Sequence, residues 1–230
     1  MQGDKGQRYE NLTSRLIIFI VGLLLMSLGI VLSIRADLGA TPWDALHVGL
    51  YEQFGLTVGT WSVLTGVLIL GAASLYLREW PQFGAYLNML LVGLFIDLFL
   101  MMPMIVTPMH FMGKLMMFIT GIVVMAYGMA FYLSARLGAG PRDSFMLAVM
   151  KKTGWKVSHV RRGMEVIVMI AAWLIGGPIH IGTLLFSVCM GTAVGVSMPQ
   201  CQRFSDIIIS KVNEWKKEKK QEVTIYEDFH

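Results

Sequence analysis

The sequence LGATPWD at residues 38–44 has a near copy, LGAGPRD, at residues 137–143, 99 positions later. Each copy follows a long apolar segment, and the alignment at offset 99 extends on both sides. Between residues 15 and 58, 14 of 44 gap-free positions are identical to their counterparts, which exceeds what a shared apolar composition gives. The later part aligns at offset 98, as at Gly84 and Gly182, which one deleted residue explains. The chain is therefore a tandem duplication, and this duplication decides the fold.

The composition is that of an integral membrane protein. Hydrophobic residues make up 55% of the chain and charged residues 15%, with a mean hydropathy of +0.62. Soluble domains carry about a quarter charged residues, and a membrane span needs roughly 20 mostly apolar residues. Six segments meet this description and predict an all-α polytopic protein: about 15–35, 59–78, 84–103, 114–134, 162–177 and 181–199.

The positive residues predict the orientation of the chain. If the N-terminal segment 1–14 is cytoplasmic, 17 of the 19 Lys and Arg residues lie on that side. Only Arg35 and Lys114 then lie outside, as the positive-inside rule favours. Both termini are thus expected on the cytoplasmic side of the membrane. The net charge of +4 is explained by positive residues on the inner face, next to anionic lipid headgroups. No nucleic-acid partner is therefore expected.

Each repeat contains three predicted spans, so the second copy must enter the membrane from the opposite side. The expected architecture is two inverted three-span halves, 15–103 and 114–199, related by a pseudo-two-fold axis in the membrane plane. The basic segment 203–230 follows as a cytoplasmic tail. Residues 205–219 form either a short helix on the inner leaflet or part of a solvated tail.

A short helix is predicted after the first span of each half, over 42–54 and 141–153. Gly39 is expected to be the left-handed residue that ends the preceding span. Thr41 is a helix-capping residue, Pro42 suits the first helical position, and a carboxylate follows two residues later. Such a piece is either an interfacial amphipathic helix or a re-entrant half-helix between spans.

The starts of these two half-helices are the first candidate site. Helix N-termini attract anionic or polar ligands, so Thr41, Asp44, Gly140, Arg142 and Asp143 are candidate solute-binding residues. The acidic residues neutralise much of the positive potential there. The alternative is that both motifs are structural caps that fix a turn.

An acidic residue in the third predicted span is the second candidate. Asp97 lies in an apolar helix, where a carboxylate costs about 2.5–3.5 kcal/mol at the membrane centre and less toward the edge. Arg35 is a plausible ion-pair partner, and Asp37 would compete for that arginine. A structural ion pair and a solute or proton site are both consistent with this pattern.

Two further candidates complete the predicted set. Glu165 aligns with Gly66 at offset 99, which leaves room for a ligand or water, although a local ion pair with Arg161 or Arg162 is the simpler interpretation. His47 follows Asp44 by three residues on the same helical face, where it could handle protons or merely pack.

The sequence contains no recognisable catalytic set. No metal-ligand spacing, nucleotide-binding loop or nucleophile motif is present, so neither an enzyme nor a bound cofactor or metal is expected. Cys189 and Cys201 are interpreted as apolar filler.

The two cap motifs, with Arg35 before the first and the overall length, resemble the YczE branch of the YczE/YyaS/YitT family of bacterial membrane proteins. The resemblance covers roughly residues 12–205 and implies a plasma membrane protein of a Gram-positive type. It implies no catalytic or ligand-binding residues, because that family is largely uncharacterised.

Together these patterns predict a small inverted-repeat transporter that binds a small polar or anionic solute between its two halves. The alternative is a non-transporting accessory protein that stabilises or localises a partner complex. Besides the lipid bilayer, the expected partner is a second copy or another membrane subunit, since the chain is short for a complete transporter.

Overall fold

The computed structural model describes residues 12–227, without the side chains of residues 157, 158, 213 and 216–227. In this range the chain is helical with no β-strand. Its eight helices are α1 (Leu12–Arg35), α2 (Pro42–Phe54), α3 (Val58–Leu77), α4 (Phe83–Leu100), α5 (Phe111–Ser134), α6 (Pro141–Thr153), α7 (Val157–Ile175) and α8 (Ile181–Glu227). The two predicted half-helices are present as α2 and α6, each of 13 residues.

Five of these helices are long and apolar enough to cross a membrane: α1, α3, α4, α5 and α8 up to Val212. The helix α7, which corresponds to the predicted fifth span, is not in this group. It carries Arg161, Arg162 and Glu165 within its 19 residues. Length and apolarity thus establish a multi-span helical membrane protein with five clear spans.

The last helix does not end where the sixth span was predicted to end. It continues through Pro199 to Glu227, for 47 residues, or about 70 Å at 1.5 Å per residue. The backbone of residues 205–219 is therefore helical, which is one of the two structures predicted for the tail. This part continues the last span instead of forming a separate helix. Residues 1–11, most of the predicted N-terminal segment, lie outside the described range.

Helices α1 and α5, the first of each repeat, cross in close contact at four glycines: Gly22, Gly29, Gly121 and Gly128. Gly22 lies against Gly128 and Tyr132, whereas Gly29 lies against Gly121 and Met125, so the two helices run antiparallel. A Cβ atom at Gly22, Gly29 or Gly128 would overlap backbone atoms of the facing helix, and one at Gly121 would overlap the Ser33 hydroxyl. Small residues permit this approach, and the buried side chains of Phe19, Leu23, Phe118 and Ile122 surround the crossing.

Two further sets of helix contacts have the same pattern in both halves. The first helix of each half packs against the third, α1 on α4 and α5 on α8. Each half-helix crosses to the other half, where α2 packs against α7 and α6 packs against α3. The half-helices therefore join the two repeats.

The turns before the half-helices differ from the expectation. The left-handed residues that follow the helix ends are Asp37 and Arg136, with φ of 54° and 56°, not the glycines. Gly39 and Gly138 come two residues later, with φ of 122° and 143°, and a side chain at Gly39 would overlap Thr183 at the start of α8. These glycines are needed for close approach and positive φ within the turn, because the helix ends before them.

The glycine crossing gives a stability prediction. Gly128→Ala should lower the free energy of unfolding by about 1–3 kcal/mol, because the added methyl group overpacks a backbone contact. Gly71→Ala in α3 is the matched control, since a Cβ there meets no atom within 4 Å. Thermal denaturation of the purified protein in detergent measures both, and equal stability of the two variants would contradict the close crossing.

The location of the termini tests whether α7 crosses the membrane. Six spans place both termini on one side, as the distribution of positive residues predicts, whereas five spans place them on opposite sides. Reporters fused to each terminus in turn, one active only inside the cell and one active only outside, should report the cytoplasmic side for both. Opposite sides would exclude α7 as a span.

Candidate functional site

The two half-helix starts meet at a cavity of about 140 Å³ between the repeats. Its lining includes six of the nine predicted site residues: Thr41, His47, Gly140, Arg142, Asp143 and Glu165. Asp44 lies directly behind it as the ion-pair partner of Arg142. Two short motifs that lie 99 residues apart in sequence are thus neighbours in space.

The cavity is distributed evenly over the two repeats. Of the 27 described residues that line it, 24 form 12 pairs that are related by the repeat offset. At offset 99 the pairs are Met26 and Met125, Ile30 and Met129, Thr41 and Gly140, Pro42 and Pro141, Trp43 and Arg142, His47 and Met146, Ser62 and Arg161, Thr65 and Met164, and Gly66 and Glu165; at offset 98 they are Asn88 and Phe186, Met89 and Ser187, and Val92 and Met190. Only Ile69, Tyr132 and Asp143 line the cavity without their counterparts.

The start of α2 is a closed cap. Thr41 Oγ1 accepts a hydrogen bond from the Asp44 amide at 3.0 Å and lies 2.7 Å from Asp44 Oδ2, to which its hydroxyl donates. Asp44 is 1% exposed. The predicted N-cap is confirmed, although the carboxylate binds the Thr41 hydroxyl and not the backbone amide of the cap. The start of α6 has Gly140 at the N-cap position, where no side-chain hydrogen bond caps the helix.

Arg142 connects the two half-helix starts. Its Nη2 lies 3.6 Å from Asp44 Oδ1, and its guanidinium carbon lies 4.8 Å from the centre of the Trp43 ring. The first distance exceeds that of a hydrogen bond, so the contact with Asp44 is electrostatic and uses none of the guanidinium donors. The side chain is 34% exposed. Arg142 therefore belongs to α6, contacts two residues of α2 and presents its positive charge to the cavity.

Asp143 has a different partner from its counterpart Asp44. Its Oδ2 accepts a hydrogen bond from the Tyr132 hydroxyl at 2.9 Å, and the Tyr132 ring packs edge-on against Phe19, with centroids 6.0 Å apart. Tyr132 comes from α5 close to the glycine crossing, so that crossing fixes the position of Asp143. Among the described residues, no hydrogen bond satisfies Asp143 Oδ1.

His47 packs against α3 within the protein. Its Nε2 lies 2.8 Å from Thr65 Oγ1, whose hydroxyl donates to the Trp61 carbonyl. The imidazole therefore donates from Nε2, which leaves Nδ1 as the acceptor. Nδ1 is buried and has no hydrogen-bond partner in the described part of the chain. Of the two predicted roles for His47, packing is satisfied, and proton handling stays a prediction.

Asn88 was missed by the sequence reasoning. It comes from α4, is 5% exposed, and its Nδ2 has no hydrogen-bond partner among the described residues. A Cβ on Gly140 would lie 2.8 Å from Asn88 Oδ1, so the glycine cap lets this amide approach the start of α6. A lone amide within an apolar span was the available signal. Tyr132 carried a weaker one, because tyrosine is also common at membrane interfaces.

Glu165 lines the cavity and also forms the predicted local ion pair, with Arg161 Nε at 3.1 Å from its Oε1. Arg161 and Glu165 are 47% and 29% exposed, so they form a neutral pair at the more accessible part of the lining. Gly66 lines the cavity as well.

Arg35 and Asp97 are not brought to this cavity, and they do not form the predicted pair. Arg35 donates to the Leu100 carbonyl at 2.9 Å. Asp97 accepts from the Thr57 hydroxyl at 2.6 Å and from the Gly59 amide at 2.8 Å, so it caps the start of α3. Asp37, the predicted competitor, pairs with Lys114 at 2.6 Å. The cost of placing the Asp97 carboxylate in an apolar helix is thus offset by donors at the start of α3 and not by an arginine.

A double-mutant cycle tests this correction. Asp97→Asn combined with Thr57→Val should show a coupling energy of about 0.5–3 kcal/mol in thermal or denaturant unfolding, as expected for residues in direct contact. The cycle of Asp97→Asn with Arg35→Gln serves as the control and should show a smaller coupling. A larger coupling to Arg35 would restore the ion pair.

Comparison with known proteins gives a consistent assignment. Residues 13–199 match a family described as "Family of unknown function (DUF6198)". The chain is 45% identical over 193 residues to the uncharacterized membrane protein YczE of Bacillus subtilis (strain 168), which covers 83% of this chain and 88% of that protein. It is 34% identical to the uncharacterized protein YyaS of the same organism over 185 residues, or 80% of this chain and 92% of YyaS.

An uncharacterized protein of Haemophilus influenzae (strain ATCC 51907 / DSM 11121 / KW20 / Rd) is 29% identical over 179 residues, or 77% of this chain and 80% of that protein. No solved structure matches the chain. The resemblance to the YczE branch that the cap motifs indicated is confirmed.

Proposed function

The chain belongs to the DUF6198 family of membrane proteins, and we propose that it is a small transporter that binds a polar solute between two inverted halves. One observation carries this proposal: the cavity is lined by 12 pairs of repeat-related residues. A site on a pseudo-two-fold axis can be reached from either side by equivalent rearrangements of the two halves, which is the basis of alternating access in inverted-repeat transporters.

The antiparallel crossing of α1 and α5 supports the inverted arrangement. Gly22 and Gly121 are repeat counterparts, as are Gly29 and Gly128. At the crossing Gly22 contacts Gly128 and Gly29 contacts Gly121, so each contact joins one glycine from each pair. A two-fold axis through the crossing produces this exchange. In the proposed topology α7 is the fifth of six spans, with its charged residues at the inner edge and both termini in the cytoplasm.

A difference between the halves supports the existence of two states. In the first half α3 packs on α4 where Gly59 meets Gly93. On α8, a Cβ at Gly191 or Gly195, the counterparts of Gly93 and Asp97, would meet no atom within 4 Å. The glycine contact that closes the first half is absent from the described part of the second half. If the second half closed in this way while the first half opened, the cavity would open to the other side of the membrane.

Ligand binding and flux test the proposal together. The purified full-length protein is screened by thermal shift against ions, sugars, amino acids, vitamins and lipopeptides, since a ligand of the folded state raises the melting temperature. Each hit is then measured for uptake into liposomes that contain the protein. Uptake should saturate, and Arg142→Gln should reduce it by about tenfold or more, the typical cost of a lost charge-assisted hydrogen bond.

Arg203→Gln is the control, because Arg203 is exposed and outside the cavity lining. It should retain full uptake. A hit that binds without flux, or uptake that Arg142→Gln leaves unchanged, would contradict a transporter that uses this cavity.

The length of α8 favours one alternative, an accessory protein that docks a partner complex. The helix runs for 47 residues, whereas a membrane span needs roughly 20. Truncation after Val212 separates the two functions. It should leave uptake intact if the protein is a transporter, whereas in an accessory protein it should release a partner recovered by mild crosslinking in the native membrane.

A further inference from the structure

The described lining of the cavity has two carboxylates, those of Asp143 and Glu165, and two guanidinium groups, those of Arg142 and Arg161. A third carboxylate, that of Asp44, lies behind the lining as the ion-pair partner of Arg142. Arg161 and Glu165 neutralise each other at 3.1 Å. Arg142 is then shared between Asp44 and Asp143, both of which attract its charge. One negative charge is left without a cation, and an uncompensated charge inside a protein is costly.

Asp143 is the carboxylate that keeps this charge. Asp44 has the Thr41 hydroxyl, its own amide and Arg142 around it, and its 1% exposure closes it to a ligand. Asp143 lines the cavity, and its described hydrogen-bond partner is the neutral Tyr132 hydroxyl. The group that complements Asp143 is therefore a cation with hydrogen to donate, such as an ammonium group.

The opposite requirement comes from Arg142 and Asn88. The guanidinium lies too far from Asp44 for a hydrogen bond, and the buried Asn88 Nδ2 donates to no described residue. Both line the cavity, where Gly140 brings Asn88 close to the start of α6. A buried donor without an acceptor, such as Asn88 Nδ2, is costly. A carboxylate would satisfy both this amide and the partly exposed guanidinium, because it accepts several hydrogen bonds at once.

We propose that the cavity binds a small zwitterion, with its ammonium group on Asp143 and its carboxylate on Arg142 and Asn88. This inference rests on the proposed function and narrows the expected polar or anionic solute to one that carries both charges. An anion satisfies the donors and leaves Asp143 uncompensated, and a simple cation leaves the donors unsatisfied.

The size of the cavity limits the zwitterion to a compact one. An engineered apolar cavity of about 150 Å³ in another protein holds one benzene molecule, so about 140 Å³ suits an amino acid with a short side chain. Seven methionines contribute to the lining: Met26, Met89, Met125, Met129, Met146, Met164 and Met190. Their flexible side chains adapt to different apolar shapes, so several short aliphatic amino acids are expected to fit.

The test compares each amino acid with its singly charged counterparts. Glycine, alanine and valine are each compared with the carboxylate that lacks the amino group and with the amine that lacks the carboxylate; for valine these are 3-methylbutanoate and isobutylamine. Binding to the full-length protein is measured by titration calorimetry and thermal shift. At least one zwitterion should bind about tenfold to a hundredfold more tightly than either of its singly charged counterparts, as one lost charge-assisted contact implies.

Two variants assign the ends of the ligand. Asp143→Asn should weaken binding of the zwitterion by about tenfold or more, because the partner of its ammonium group is gone. The variant should therefore prefer the zwitterion over the deaminated carboxylate less than the unmodified protein does. Asn88→Leu removes a donor on the other side and should weaken both the zwitterion and the carboxylate. Arg203→Gln should change neither, and gel filtration shows which variants are folded, so the result depends on no single variant.

Other outcomes overturn the inference in distinguishable ways. If the deaminated carboxylates bind and are transported as well as the zwitterions, the ligand is an anion and the transporter proposal survives. If the amines alone bind equally well, the ligand is a cation. If no compound of the three classes binds, the zwitterion assignment is wrong, and uptake of another solute from the wider screen decides the transporter proposal separately.

Discussion

The close antiparallel crossing of α1 and α5 is the constraint on which the rest of the structure depends. Four glycines bring the two backbones into contact, and without that approach the surrounding side chains of the core would not meet. Van der Waals packing is a principal source of helix association in a membrane, where lipid tails are as apolar as leucine side chains. The crossing sets the distance between the repeats, and with it the position of every residue that follows.

The half-helices depend on this crossing in turn. Each follows directly from an end of α1 or α5 through a tight turn, and each packs against a helix of the other repeat. Their N-termini therefore converge instead of lying on the surface. The same motif gives two chemically different ends, because Thr41 and Trp43 stand where the second copy has Gly140 and Arg142. Duplication supplied the symmetry, and these substitutions supplied a polar site.

The electrostatics of the site follow from burial combined with this divergence. Arg142 faces Asp44 across the repeat boundary at 3.6 Å, whereas Asp143 is held by the tyrosine of α5. An arginine shared between two carboxylates is costly in a helical membrane protein, and so is an amide nitrogen, Asn88 Nδ2, that donates to no described residue. Such residues are expected at sites where a ligand or a conformational change uses them, and at Asp97 the same cost is met by a structural helix cap.

The sequence alone determined the class of the protein, the position of its helices and the repeat, because apolar spans, caps and self-similarity are local or one-dimensional signals. It also identified Thr41, His47, Gly140, Arg142, Asp143 and Glu165, since charges and caps are conspicuous in an apolar chain. Only the tertiary structure decided which side chains contact each other. Arg35 and Asp97 are complementary in charge, yet Arg35 binds a carbonyl group and Asp97 binds the start of a helix. Asn88 and Tyr132 gained their significance from the half-helix starts that they face, and sequence separation carries no information about that distance.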